Sequence, residues 1–235
     1  MRLIATKREP WKGADVGRAV FLLDVDNTLL DNDRVVADLR NHMAGALGVE
    51  QAERYFAIFE DLRNELGYAD YLGALQRYRL ERPRDSQILE MSPFLIDYPF
   101  ANRLFPGSLD VVDRFKAWGT PVILSDGDVV FQPRKIERSG LFDAVDRHVL
   151  VYIHKEQELD DVARRYPADR YVLVDDKVRI LAAVKQAWGA KVVTVFPRQG
   201  HYARDPKHVA RYPSPDVTVE RISDLLELDA SAFAL

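Results

Sequence analysis

The chain of 235 residues contains no cysteine. That excludes a disulfide scaffold, a thiolate zinc site and a cysteine nucleophile. Basic residues are in no excess: 33 Lys and Arg stand against 37 Asp and Glu, a formal net charge of −4. A nucleic-acid polymer is therefore not expected as the partner, because phosphate-backbone binding needs a surplus of positive surface. No apolar run approaches the roughly 18–20 residues of a membrane span. Residues 1–10 hold no apolar block of the signal-peptide kind. The expectation is a protein without membrane contact and with a cytoplasmic location. Nucleotide fingerprints are missing too: neither Gly-x-Gly-x-x-Gly nor Gly-x-x-x-x-Gly-Lys-Ser/Thr occurs.

What is present is ordinary globular material. Apolar residues make up 47% and aromatics 10%, enough for a sizeable core and too apolar for a disordered chain. The length suits one large domain, or one domain carrying an insertion. Short, nearly continuous apolar runs at residues 19–23, 121–124, 149–153, 171–174 and 192–196 read as buried strands, with a weaker sixth at 217–219. Continuous rather than alternating apolar character suits a parallel sheet covered on both faces. Helical stripes lie between them: Val111, Val112, Phe115 and Trp118 after a candidate N-cap at Ser108; Leu159, Val162, Ala163 and Tyr166; Ile180, Leu181, Val184 and Trp188; and a last short one at Ile222, Leu225 and Leu226. Alternation of strand and helix predicts an α/β fold, a Rossmann-like parallel sheet with right-handed crossovers.

One stretch breaks the alternation. Residues 35–103 carry no strand signal and read as helices near 35–47, 50–66, 69–81 and 85–97. In the second, Ala52, Tyr55, Phe56, Phe59, Leu62 and Leu66 form an amphipathic stripe. A structureless loop of that length is improbable. The expected organisation is an α/β core, 1–34 and 104–235, with an all-helical domain, 35–103, inserted after the first strand.

In open α/β sheets, ligands bind beyond the carboxyl ends of the strands. Those ends carry Asp24-Val25-Asp26-Asn27-Thr28, then Ser125-Asp126-Gly127-Asp128, then Lys155, then Asp175-Asp176. Asp supplies 25 of the 37 acidic residues, so a single Asp-x-Asp is weak evidence and could be a solvated strand end or a helix cap. The order of the whole set (acid pair, hydroxyl, lysine, acid pair) is the stronger signal.

That set resembles the haloacid dehalogenase (HAD) superfamily over most of the chain. The first family motif is similar to Asp24–Thr28, the second to Ser125, the third to Lys155 and the fourth to Asp175-Asp176. Phe105-Pro106-Gly107 also looks familial, and the insertion resembles the family's helical cap of the first type. The resemblance implies a Mg²⁺-dependent phosphohydrolase acting on a small phosphorylated substrate. Asp24 would be the nucleophile and Asp26 the acid and base. Ser125, Asp126, Gly127, Thr28 and Lys155 would meet the phosphoryl group. Mg²⁺ would take the Asp24 side chain, the Asp26 carbonyl and Asp176, with Asp175 acting through water or orienting Lys155. Dehalogenating members carry an aromatic residue where Asp26 stands, which argues for phosphate chemistry. The alternatives are a halide-releasing hydrolase and a relative that binds without catalysis; length and motif order disfavour a phospho-acceptor receiver module.

Two departures stand out. The fourth motif runs into Lys177-Val178-Arg179 rather than Ser and a further Asp, and Lys155 is followed by Glu156 rather than Pro. Lys135 and Lys177 are the fallbacks for the third-motif lysine. Asp128 reads as a helix cap or a substrate contact. The basic run Arg77, Arg79, Arg82 and Arg84 reads chiefly as a solvated face, and His201 chiefly as structural. His42, His148, His154 and His208 lack metal-ligand spacing. The sequence leaves the oligomeric state open between monomer and homodimer.

Overall fold

A computed structural model describes residues 19–235. The segment before it, including the stretch read for a signal peptide and the start of the first core segment, lies outside the described residues. The apolar runs form strands β1 (Ala19–Leu23), β2 (Gly119–Asp126), β3 (Val149–Tyr152), β4 (Tyr171–Val174), β5 (Val192–Pro197) and β6 (Val217–Val219). They make one parallel sheet in the order β3-β2-β1-β4-β5-β6. Between β1 and β2 come α1 (Asn32–Leu47), α2 (Val49–Leu66), α3 (Tyr71–Glu81) and α4 (Met91–Asp97). Helix α5 (Ser108–Lys116) leads into β2, and α6 (Phe131–Arg138) and α7 (Leu141–Ala144) follow it. Helices α8 (Leu159–Arg165) and α9 (Val178–Trp188) flank β4, and α10 (Gly200–Arg204) and α11 (Pro206–Val209) follow β5.

The sheet is covered on both faces, and that is why its strands read as unbroken apolar runs. Successive residues of β1 point to opposite sides. Ala19, Phe21 and Leu23 join Val111, Val112 and Phe115 of α5, with Phe21 stacked on Phe115 at 4.1 Å between ring centroids. Val20 and Leu22 join Val162 of α8 and Ile180, Leu181 and Val184 of α9.

The insertion is helical as expected, with shifted ends. Helix α1 starts at Asn32 because the Asp31 carboxylate caps it, accepting from Arg34 N at 2.9 Å. The fourth predicted helix is split into a 3-10 turn, Ser86–Glu90, and α4. The α2 stripe is buried from Ala52 to Leu62, with Leu66 packed at its margin. It continues into the sheet's own core through Phe59 on Tyr71 (4.5 Å) and Tyr71 on Phe131 of α6 (5.0 Å). Ser108 is not the cap of α5. Gly107 holds that place, and the Ser108 hydroxyl turns inward to donate to Leu29 O at 2.8 Å, tying down the loop after β1. The last apolar stripe is a 3-10 segment, Ile222–Glu227, rather than an α-helix. Among the described residues no helix is long and apolar enough to cross a membrane.

Candidate active site

The strand order runs outward in both directions from β1 and β4, and a crevice opens beyond the carboxyl ends at such a switch point. Leu23 is in register with Val174, so Asp24 and Asp175 leave the sheet side by side. Asp24 N donates to Val174 O at 3.0 Å and Asp175 N to Val195 O at 3.1 Å, which fixes both at the same level. One carboxylate oxygen each from Asp24, Asp175 and Asp176 lies within 4.8 Å of the others. All three residues are buried, at 2%, 0% and 0% exposure.

Lys155 enters this cluster from the loop after β3. Its ammonium lies 2.5 Å from Asp24 Oδ1 and 2.7 Å from Asp175 Oδ2, and donates to Leu124 O at 3.2 Å. Its main-chain N–H donates to Asp126 Oδ1 at 2.8 Å, which anchors the turn. Burial alone would lower the lysine pKa; the charges of Asp175, Asp24 and Asp126 outweigh it and hold the ammonium above its ordinary value. Thr28, expected at the substrate, has its hydroxyl committed on both sides. It donates to Asp24 Oδ2 and accepts from Asp176 N, each at 3.0 Å, and so ties the first acidic segment to the last.

The cluster is short of positive charge. Neither oxygen of Asp176 has a hydrogen-bond partner. Burial, with Asp175 and Asp24 nearby, pushes its pKa well up against the opposing pull of Lys177. Burial likewise raises Asp175 to about 6, with Lys155 opposing and Asp24 adding to the shift. Buried carboxylates without partners are costly. Three oxygen donors with an orphaned pair among them fit a hard divalent cation such as Mg²⁺.

Asp26 stands apart from this cluster, in its own clamp. Lys135 of α6, with 1% exposure, donates to Asp26 Oδ1 at 2.6 Å and to Asn32 Oδ1 at 3.0 Å. Gln132, one turn earlier, reaches Asp26 Oδ2 at 3.3 Å and Ser125 Oγ at 2.8 Å. Lys135 therefore serves the second aspartate, and Lys155 the first. A Cβ at Gly127 would lie 2.7 Å from Gln132 Cβ, so the turn after β2 needs glycine for α6 to approach this closely. The Gly127 N–H is spent on Tyr152 O at 3.0 Å. Asp128 holds the turn before α6 rather than its cap position, which is Val130: its Oδ1 accepts from Val130 N at 2.8 Å and Phe131 N at 2.6 Å.

Asn27 takes a left-handed conformation (φ 62°) that asparagine tolerates, turning the chain sharply after Asp26. Its amide pairs with Asp33, donating to Oδ1 at 3.0 Å and accepting from Asp33 N at 3.1 Å. Asp33 in turn holds His201, whose Nδ1 lies 2.6 Å away. A Cβ at Gly200 would sit 2.4 Å from Asn27 Cβ, so the loop carrying His201 packs directly on this turn.

A cavity of about 730 Å³ lies over Asp26 and Asp126, closed on the far side by the insertion. Phe59, Arg63, Tyr68 and Tyr71 line it from that side; His154, Lys177, His201 and Tyr202 line it from the sheet edge. Arg77, Arg79, Arg82 and Arg84 are exposed and do not line it. Sequence reasoning missed Gln132 and Arg63. Gln132 meets Asp26 across 106 residues of chain and Arg63 meets Tyr202 across 139, so neither contact has a local mark.

The parallel α/β sheet gathers four acid-, hydroxyl- or lysine-bearing strand ends at its switch point. The family model for haloacid dehalogenase-like hydrolases matches residues 19–188, and this chain belongs to that family. It is similar to a haloacid dehalogenase-like hydrolase from Burkholderia xenovorans LB400, at 65% identity, TM-score 0.87, with 91% of this chain and 100% of that one covered. More distantly it matches an L-2-haloacid dehalogenase from Xanthobacter autotrophicus (18% identity, 90% and 98% covered, TM-score 0.56). A magnesium-bound HAD-hydrolase from Bacillus subtilis matches at 15% identity (91% and 98% covered, TM-score 0.60). These two likenesses show the fold alone. No curated protein matches the chain.

Proposed function

We propose that the chain is a Mg²⁺-dependent phosphohydrolase acting on a small phosphorylated metabolite through an aspartyl-phosphate on Asp24. The observation that carries this reading is Asp26. A second carboxylate two residues after the first lines the cavity and is held there by Lys135 and Gln132. Phosphoryl transfer from an alkyl ester needs a proton for the leaving oxygen, and halide release needs none.

In this reading the Asp24 carboxylate attacks phosphorus and the bond to the leaving oxygen breaks. Asp26 delivers a proton to that oxygen. It then takes a proton from the water that attacks the acyl phosphate, which frees phosphate and restores Asp24. Two unit charges 4 Å apart repel by about 4 kcal/mol at an effective dielectric near 20. Lys155, already 2.5 Å from Asp24, offsets part of that as the phosphate approaches. Asp175 orients Lys155, and the Ser125 hydroxyl, which accepts from Gln132 and donates to Asp126 O, would turn its proton to the phosphoryl oxygens. A divalent cation held by Asp24, Asp176 and the Asp26 carbonyl would neutralise the remaining charge on phosphate and acids. Residues 35–103 act as a cap that excludes water over the core of residues 1–34 and 104–235.

Halide release is the second reading, favoured by the dehalogenases among the proteins of like fold. One experiment separates the two: phenyl phosphate and 2-chloropropionate, each with Mg²⁺ or chelator. Phosphate release that stops with chelator supports the first reading. Chloride release without phosphate release supports the second and overturns the first.

A further inference from the structure

Most charged groups of the cavity are matched in pairs; Asp126, held only by the Lys155 main-chain N–H, Lys177 and the loosely paired Arg63 are the exceptions. Asp26 is closed on Lys135 at 2.6 Å, Asp33 on His201 at 2.6 Å, and Glu156 on Arg179 at 2.6 Å. Lys177 makes no ion pair within 4 Å to a described residue; its ammonium stands 5.9 Å from the ring centre of Tyr202, and against burial the more distant charges of Asp24, Asp176 and Asp175 hold it protonated. Arg63 of α2 reaches across the cavity and donates to the Tyr202 hydroxyl, a neutral acceptor. The carboxylate nearest Arg63 is Glu60 at 3.5 Å, and it is more than half exposed, so solvent screens it. The other insertion arginines that pair do so tightly: Arg54 with Glu81 (2.9 and 2.5 Å) and Arg77 with Glu65 (2.8 and 3.0 Å).

Positive charge therefore runs in steps from the sheet edge to the insertion. Lys155 sits on Asp24, Lys177 follows it in the cavity, and Arg63 stands on the opposite wall with Tyr202 between them. The first can serve the phosphoryl group. The last belongs with the other end of whatever fills about 730 Å³.

We propose that Arg63, with Tyr202 and Lys177, forms a subsite for a second anion, and that the substrate is a phosphate monoester whose organic part bears a carboxylate. The inference rests on the phosphohydrolase reading and specifies its substrate class. A planar guanidinium suits a carboxylate fork, and a Tyr202 hydroxyl released from Arg63 can donate to it as well.

The test compares phenyl phosphate with 4-carboxyphenyl phosphate in the presence of Mg²⁺. The carboxylated ester has a KM about tenfold lower, the effect of one charge-assisted hydrogen bond. Arg63→Ala brings the ratio to within about twofold, and Arg63→Lys restores part of it, since ammonium keeps the charge without the fork. Equal KM values in the wild type, or a preference retained in Arg63→Ala, overturn the subsite. Calorimetry with phenylphosphonate and 4-carboxyphenylphosphonate separates the two claims. Tighter binding of the carboxylated phosphonate without hydrolysis of either ester leaves the subsite standing and sinks the phosphohydrolase. Hydrolysis of both esters with equal phosphonate affinities does the reverse.

Discussion

At the base of the insertion, Asp38 accepts from Tyr98 Oη at 2.5 Å and from Arg103 Nη2 and Nε at 2.6 and 3.1 Å. At the sheet edge, Asp176 accepts from no side chain at either oxygen. The first carboxylate is partly open to solvent and richly supplied with donors. The Tyr98 hydrogen bond, joined by Arg103 against the opposing cost of burial, holds its pKa below the ordinary value. The second is fully buried, undersupplied, and pushed the other way. Folding alone favours the Asp38 arrangement. A buried acid left short of donors is a cost to stability, and it makes sense where something that binds later completes the set.

Substitutions break the comparison at different points. On the proposed reading Asp24→Asn removes hydrolysis of aryl phosphates by at least roughly a thousandfold, because Asp24 is the proposed source of the attacking oxygen. The variant stays folded by circular dichroism, since Asn keeps the Thr28 contact. Asp26→Asn loses more on alkyl esters than on activated aryl esters; equal losses argue against its acid role. Lys155→Met strands Asp24 and Asp175 in the interior and lowers unfolding free energy by about 3–5 kcal/mol in a denaturant titration. The same titration on Asp38→Asn shows a loss of roughly 1 kcal/mol, because its partners are partly solvated and find water.

The two regions also respond to pH with opposite sign. Asp175 is raised to about 6, so the folded metal-free protein binds its proton more tightly than the unfolded chain. The stability it contributes is complete below about pH 4 and is lost as pH rises through 6, by roughly 3 kcal/mol. Asp38 is lowered, so its contribution is present above pH 4 and is lost as pH falls below that. A metal-free protein whose unfolding midpoint does not fall between pH 4 and 7 contradicts the picture of an undersupplied cluster. Mg²⁺ flattens that decline.

Much of this was legible in the chain. Parallel strands buried on both faces write themselves as unbroken apolar runs, so all six strands can be read to within a few residues. The acidic pairs and Lys155 are legible because strand ends in such a sheet converge at the switch point. Caps were less so: Ser108 has a cap's chemistry, yet its hydroxyl is drawn to Leu29 O by tertiary packing. Lys135 offers no local sign of its partner, which lies 109 residues away. The Asp33–His201 pair spans 168 residues. Arg63 sits one turn after Phe59 on a helix whose sequence advertises only its apolar stripe, so the cavity it faces is invisible without the fold.

The claim beneath all of this is that Asp24 carries the phosphoryl group. The direct measurement is acid quenching of the wild type during turnover of a phosphate monoester, followed by peptide mass spectrometry. The account predicts one phosphoryl group on the peptide containing Asp24, absent in Asp24→Asn. Steady hydrolysis with that peptide unmodified, or with the group on another residue, contradicts it.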